Sequence, residues 1–172
     1  YEFKDGLDRY LADSGAPVGS LAALIAWNTA NADRAMPWFA QELLEQAQAK
    51  GPLTEPAYLQ ARADARRLAG EQGLMAALAG ANLDAIVAPT TGPAWPIDPV
   101  LGDRSGGASY GVAAVAGTPS LTVPMGDVRG LPIGLAFMGA PDSEAALLAM
   151  GFAFEQATKA RKPPAFRASV LP

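Results

Sequence analysis

The sequence predicts an α/β chain in which several helices come first and a small β-sheet follows. Three observations lead to this prediction. Apolar residues recur at helical spacing up to about residue 81, short runs rich in branched residues follow, and two of these runs alternate in polarity. With 172 residues, of which 50% are hydrophobic and 17% charged, the chain has the size and composition of one folded domain.

The apolar spacing predicts four helices in the first half of the chain. The first contains Leu7, and the second follows Ser20, a residue type that caps helix N-termini. The third follows Pro37, and the fourth, which is the longest, has Pro56 in its first turn. Gly73 is expected to split this fourth helix, because glycine lowers helix stability.

Three strands are predicted in the second half. Residues 85–88 form a short apolar run, which we interpret as a strand buried on both faces. Residues 120–125 and 131–138 alternate in the manner of strands, and the linker 126–130 is short enough for an antiparallel hairpin. A buried helix over 109–115 and a last helix that begins near Ser143 bring the expected total to five to six helices.

Residues 92–107 form a Gly/Pro-rich loop that is too long to be a simple connection, and loops of this length are usually functional or mobile. Trp95 lies in this loop. Its ring can form one wall of a ligand pocket, or it can pin the loop to the core, and both interpretations remain open.

Composition excludes several classes of function. The 172 residues contain no Cys and no His, which rules out disulfides, thiol catalysis, Cys/His metal sites and a Ser-His-Asp triad carried by this chain. A net charge of -4 without a basic block argues against a nucleic-acid partner. The longest apolar run, residues 131–141, is too short for a membrane helix. We expect no metal and no cofactor, and either a cytoplasmic or an exported location fits the lack of Cys.

Ser105 directly precedes Gly106 and Gly107, and Ser109 follows two residues later, so this Gly-rich segment, as in some oxyanion-binding loops, invites a catalytic interpretation. A serine nucleophile needs a neighbouring base, and the amine candidates are Lys4, Lys50, Lys159 and Lys162, all predicted to be solvated or terminal. We therefore interpret the segment as a turn in which one of the two serines caps the next helix.

Two carboxylate pairs are also candidates for acid/base work. They are Glu2 with Asp5 and Asp98 with Asp103. Neither spacing requires a site, and ordinary surface carboxylates are the preferred interpretation.

Five stretches, in their order and spacing, resemble the C-terminal third of amidase signature enzymes. They are residues 1–4, 36–42, 83–95, 116–126 and 130–139, which include APTTGPAW, AGTPSLTVP and GLPIGL. The resemblance covers essentially the whole chain. It implies a mixed-sheet α/β/α fold and a carboxamide hydrolase that uses a Ser nucleophile, a second Ser and a Lys base.

For this chain, the resemblance implies that residues 1–172 are the C-terminal part of a single amidase domain, with a helical segment over 1–81 and the strands, substrate-side loop and last helix over 82–172. The family's catalytic residues match no position in it, so the chain alone is expected to be inactive. The residues expected to bind substrate are Trp95, Ile97, Ser109 and Val112.

The expected partners are a small-molecule or peptidyl amide and a missing N-terminal part of the same protein. The chain opens at Tyr1 without a Met, so we expect a piece of a longer protein. Because its sheet edges are expected to be unpaired, this piece should pair them with another copy, exchange a helix with it, or stay soluble only because the first helices fold over the sheet. The alternative is a non-catalytic binding or interaction module that reuses the amidase fold.

Overall fold

The computed structural model describes residues 1–103, 106–164 and 166 and contains two compact units. The first unit is Tyr1–Arg62 and the second is Ala63–Pro172, so their boundary lies within the helix Pro56–Arg66. The change from helices to strands comes later, between Gly80 and Ile86. The assignment of residues 1–172 to a single amidase domain remains a prediction.

The first unit is helical. It contains α1 (Glu2–Asp13), α2 (Leu21–Ala30), the single-turn α3 (Ala32–Ala35), α4 (Glu42–Gln48) and the start of α5 (Pro56–Arg66). The predicted cap of α2 is confirmed, because the Ser20 hydroxyl accepts a hydrogen bond from the Ala23 amide at 3.1 Å. Four predicted helices are therefore present, and α3 is an additional turn.

Leu11, Leu21 and Tyr58 are the buried hydrophobic residues of this unit. The Tyr58 hydroxyl donates a hydrogen bond to Glu2 Oε1 at 2.6 Å, which joins the start of α1 to α5. The ring of Tyr1 lies 5.4 Å from that of Tyr58, measured between centroids. A hydrogen bond with the Glu55 carboxylate, followed by partial desolvation and the charge of that carboxylate, raises the pKa of the Tyr1 hydroxyl above its ordinary value of 10.0.

Gln41 is the buried polar residue of the first unit and joins the segment before α4 to α2. Its side-chain oxygen accepts a hydrogen bond from Asn28 Nδ2 at 3.1 Å. Its side-chain nitrogen donates to the Ile25 carbonyl at 3.2 Å and to Thr29 Oγ1 at 3.0 Å. These bonds satisfy a side chain that is 7% exposed, and they hold in place a segment that presents Trp38 to solvent.

Replacing Gln41 with alanine is expected to lower the free energy of unfolding of the first unit by about 1–3 kcal/mol, because the bonded partners lose a buried acceptor and donor. Urea denaturation followed by Trp27 fluorescence in a Trp38→Phe, Trp95→Phe background measures this change. Gln46→Ala is the matched control, since Gln46 is exposed on α4 and its replacement should stay within about 0.5 kcal/mol of the parent. If both substitutions lowered the free energy of unfolding equally, the hydrogen bonds of Gln41 would not be what stabilises this unit.

The second unit contains the rest of α5, a π-helical segment (Arg67–Met75), α6 (Ala76–Gly80), β1 (Ile86–Pro89), α7 (Gly111–Ala116), β2 (Ser120–Val128), β3 (Leu131–Met138) and α8 (Glu144–Thr158). The predicted break at Gly73 is wrong, because the helix widens there into the π form instead of ending. A Cβ on Gly73 would lie 2.6 Å from the Leu68 carbonyl oxygen, so this turn requires a glycine.

The three strands form an antiparallel sheet in the order β1-β3-β2. The predicted antiparallel hairpin is confirmed, but its turn is shorter than the expected linker 126–130. β2 continues to Val128 past a bulge between Pro124 and Gly126, which leaves only Arg129 and Gly130 in the turn. Both turn residues have positive φ, 54° and 83°, as the preferred two-residue hairpin turn requires.

Helical segments pack on both faces of this sheet. Leu74 and Leu78 pack with Met138 on one face, together with Ala113 of α7. On the other face, the ring of Phe154 from α8 lies 6.1 Å from that of Phe137. These layers confirm the α/β/α fold of the amidase signature type.

The prediction that the first strand is buried on both faces is wrong. Val87 of β1 is 53% exposed, although Ile86 and Ala88 pack against the core. Val87 pairs with Phe137 and therefore points toward the α8 side of the sheet. α8 contacts β2 and β3, so the edge strand receives little cover on that side.

Candidate functional site

The candidate site is the loop over residues 92–107, which connects β1 to α7. Its described residues form neither helix nor strand. Thr91 and Ala108 form a single antiparallel bridge that brings the two ends of the loop together. The backbones of Gly92 and Gly106 approach so closely that a Cβ on Gly92 would lie 3.1 Å from the Gly106 Cα atom. The loop is therefore closed at its base.

Polar contacts within the loop fix its shape. Trp95 Nε1 donates a hydrogen bond to Asp103 Oδ1 at 3.0 Å. Asp98 Oδ1 accepts from the backbone amides of Val100 and Leu101, both at 2.9 Å. The two aspartates that were considered as an acid/base pair thus each bind a donor within the loop, which supports the surface-carboxylate interpretation.

Glu2 and Asp5, the other candidate pair of carboxylates, also bind neighbouring residues. Glu2 accepts the Tyr58 hydroxyl, and the Asp5 carboxylate forms an ion pair with Arg9 on the next turn of α1. Glu2 thus joins two helices, whereas the Asp5 ion pair lies on the exposed surface of α1.

Ser109 joins the end of the loop to the end of β1. Its hydroxyl donates to the Pro89 carbonyl at 2.8 Å, and its amide donates to the Thr90 carbonyl at 3.0 Å. The interpretation of Ser109 as a helix cap is wrong, because the N-cap position of α7 is Tyr110 and no side chain caps it. The alternative cap, Ser105, lies outside the described residues.

The four predicted substrate-binding residues lie on two segments. Trp95 and Ile97 are on the loop and expose 37% and 85% of their surface. Ser109 and Val112 follow the closing end of the loop, and Val112 in the first turn of α7 is 45% exposed. The Thr91 and Ala108 bridge brings both segments to the same end of β1.

Two of the lysines that could act as a base bind other partners. Lys4 Nζ donates to the carbonyls of Gln48 and Lys50, both at 3.0 Å. Lys162 Nζ donates to Asp127 Oδ2 at 2.7 Å. Among the residues that the structure describes, no group of three or more carboxylates could hold a metal ion, and no helix is long and apolar enough to cross a membrane.

Sequence reasoning did not identify a pair of threonine hydroxyls at the base of the loop. Thr90, which follows β1, and Thr122 in β2 place their Oγ1 atoms 2.6 Å apart. They meet next to Gly134 in the central strand. A glycine inside a strand often marks a place where another group approaches the backbone closely. Gly134 is therefore the one feature of the sequence that indicates this contact.

Comparisons with known proteins and solved structures identify amidases that are similar to this chain. No protein-family model matches the chain. A probable amidase of Arabidopsis thaliana is 35% identical over 171 residues, which cover 96% of this chain and 29% of that protein. The native peptide amidase of Stenotrophomonas maltophilia matches with 55% identity and a TM-score of 0.87, covering 98% of this chain and 34% of that structure.

A peptide amidase in complex with the competitive inhibitor chymostatin matches with 57% identity and a TM-score of 0.91, over 96% of this chain and 34% of that structure. This chain therefore spans about a third of the length of the relatives that it matches. The sequence alignment and the structural alignments each cover 96–98% of the chain, at 35–57% identity. The chain therefore belongs to the amidase signature family.

Proposed function

We propose that this chain is the C-terminal portion of an amidase that hydrolyses a carboxamide, with water, to a carboxylic acid and ammonia. The observation that carries the proposal is the match to peptide amidase, which extends over 98% of the chain at 55% identity. In this proposal, the Ser nucleophile, the second Ser and the Lys base come from a part of the polypeptide outside residues 1–172.

A peptidyl amide is the substrate class that we favour. The support is the identity of 55–57% to peptide amidases, one of which holds chymostatin as a competitive inhibitor. The exposed apolar surfaces of Trp95 and Ile97 suit contact with a side chain next to the carboxamide. Val112 adds a third apolar surface at the start of α7.

Ser109 has a different role in this proposal. Its hydroxyl proton is donated to the Pro89 carbonyl, and that bond directs the hydroxyl toward the backbone of β1. The hydroxyl oxygen keeps a free lone pair that can accept a hydrogen bond from a substrate amide. We therefore assign Ser109 to binding and not to nucleophilic attack.

A second candidate function is a binding module without chemistry. The observation that favours it is that Asp98, Asp103 and Ser109 all form hydrogen bonds inside the loop region. Such a module would bind a peptide amide through the Trp95 loop and release no ammonia.

Ammonia release from an N-acetylated dipeptide amide separates these functions. We expect no release by residues 1–172 alone and release by the polypeptide translated from the whole coding sequence that contains them. Release by residues 1–172 alone that Ser109→Ala abolishes would overturn the proposal. Binding of the amide by the whole polypeptide without ammonia release would instead support the binding module.

Trp95→Ala in that whole polypeptide is expected to raise KM for the dipeptide amide about tenfold, the effect of losing one apolar contact. Trp38→Ala is the matched control, because Trp38 is exposed in the first unit and outside the loop. An equal rise in KM in both variants would contradict the assignment of the loop.

A further inference from the structure

The threonine pair at the base of the loop spans all three strands of the sheet. The Thr90 amide donates to the Gly134 carbonyl at 2.7 Å, which extends the pairing of β1 with β3 by one residue. The Thr90 hydroxyl then reaches across β3 to the Thr122 hydroxyl of β2, with 2.6 Å between the oxygens. One residue thus connects the end of β1 to both other strands.

Gly134 makes this contact possible. A Cβ at this position would lie 2.6 Å from Thr122 Oγ1 and 2.9 Å from Thr90 Oγ1, which is closer than carbon and oxygen atoms approach without a bond. Any other residue at position 134 would force the two hydroxyls apart. The short distance between the threonines therefore depends on a missing side chain in the central strand.

Thr90 also holds the far end of the loop. Its carbonyl accepts the Ser109 amide at 3.0 Å, and the neighbouring Pro89 carbonyl accepts the Ser109 hydroxyl at 2.8 Å. The next residue, Thr91, forms the bridge to Ala108. The residues that flank the loop on both sides are therefore held together next to Thr90.

We propose that the Thr90–Thr122 pair is a clamp that positions the loop for substrate binding, which makes the two threonines positioning residues for the proposed amidase. This inference rests on the proposed function. Within residues 1–172, Thr122 is exposed, so the pair lies at the end of the strands beside the loop and outside the buried cluster of this unit. The pair acts on the backbone from which Trp95 and Ile97 extend.

Amide hydrogen exchange in the whole polypeptide tests the clamp without any requirement for activity. We expect Thr122→Val to accelerate exchange of the Thr90 and Ser109 amides roughly five- to tenfold, the effect of losing one hydrogen bond. Thr122→Ser keeps the hydroxyl and should restore the parent rates. Thr158→Val is the matched control, since the Thr158 hydroxyl donates only to the Phe154 carbonyl of its own helix.

Unchanged exchange at Thr90 and Ser109 in Thr122→Val would overturn the clamp. A uniform acceleration across the whole second unit would overturn it as well, because such a change reports general destabilisation. These outcomes are independent of whether the polypeptide is an amidase.

Kinetics in the whole polypeptide test the consequence for substrate. With an N-acetylated dipeptide amide, Thr122→Val is expected to raise KM roughly fivefold and to leave kcat within about twofold, with recovery in Thr122→Ser. A faster exchange of the Thr90 and Ser109 amides with an unchanged KM would overturn the positioning role. Absence of ammonia release by the parent polypeptide would refute the proposed function, whereas the exchange experiment would still decide the clamp.

Discussion

Replacing Leu147 with alanine is expected to lower the free energy of unfolding of the second unit by about 2–5 kcal/mol. Leu147 lies on α8, is 2% exposed and is, with Leu21, one of the two largest fully buried side chains among the residues that the structure describes. It packs so closely on the end of β3 that a Cβ on Gly139 would lie 3.1 Å from its Cδ2 atom. Truncation removes this buried side chain and leaves a cavity between α8 and the sheet.

The next residue on the helix provides the matched control. Leu148 is 60% exposed, so Leu148→Ala should change the free energy of unfolding by no more than about 0.5 kcal/mol. Urea denaturation followed by Trp95 fluorescence in a Trp27→Phe, Trp38→Phe background reports on the second unit. A similar loss in both variants would contradict the packing of α8 described above.

A glycine-to-alanine change is expected to have opposite effects in two helices. Gly151→Ala in α8 should lower the free energy of unfolding by about 1–3 kcal/mol, because the new Cβ would lie 2.5 Å from Leu121 Cδ2 and 3.3 Å from Val123 Cγ1. Gly6→Ala in α1 should raise it by up to about 1 kcal/mol, because nothing lies within 4 Å of the new atom and alanine favours the helix.

The contact with Leu121 can be tested directly. Combining Gly151→Ala with Leu121→Ala removes the atom that the new Cβ meets first. The double variant should therefore lose less stability than the sum of the single variants, by about 0.5–3 kcal/mol. Additive losses would show that overpacking against Leu121 is not the cause. Urea denaturation of all four proteins completes the cycle.

Local patterns predict the three strands and most of the helices, but not α3 or the π-helical segment. The alternation over residues 120–125 and 131–138 identified the hairpin, and Ser20 identified the start of α2. Each of these features depends on residues close together in sequence. The exposure of Val87 depends instead on how far α8 extends across the sheet, which no local pattern reports.

The candidate site, too, is predicted only where it depends on local patterns in the sequence. Glycine and proline spacing located the loop, and Trp95 was recognised as its distinctive residue. The partner of Trp95, Asp103, and the threonine pair next to Gly134 depend on the path of the loop and on the register of three strands. These contacts join residues 8 and 32 positions apart, and periodicity carries no information about them.

The π-helical segment Arg67–Met75 has a consequence for variation in chain length. A π turn closes its hydrogen bonds over one more residue than an α turn, so each turn holds an extra residue without a break in the helix. Losing a residue here can convert a wide turn into an ordinary one while the flanking turns stay helical. This stretch is therefore where homologous amidases can differ by one residue at little structural cost, provided that Leu74 and Leu78 still reach Met138.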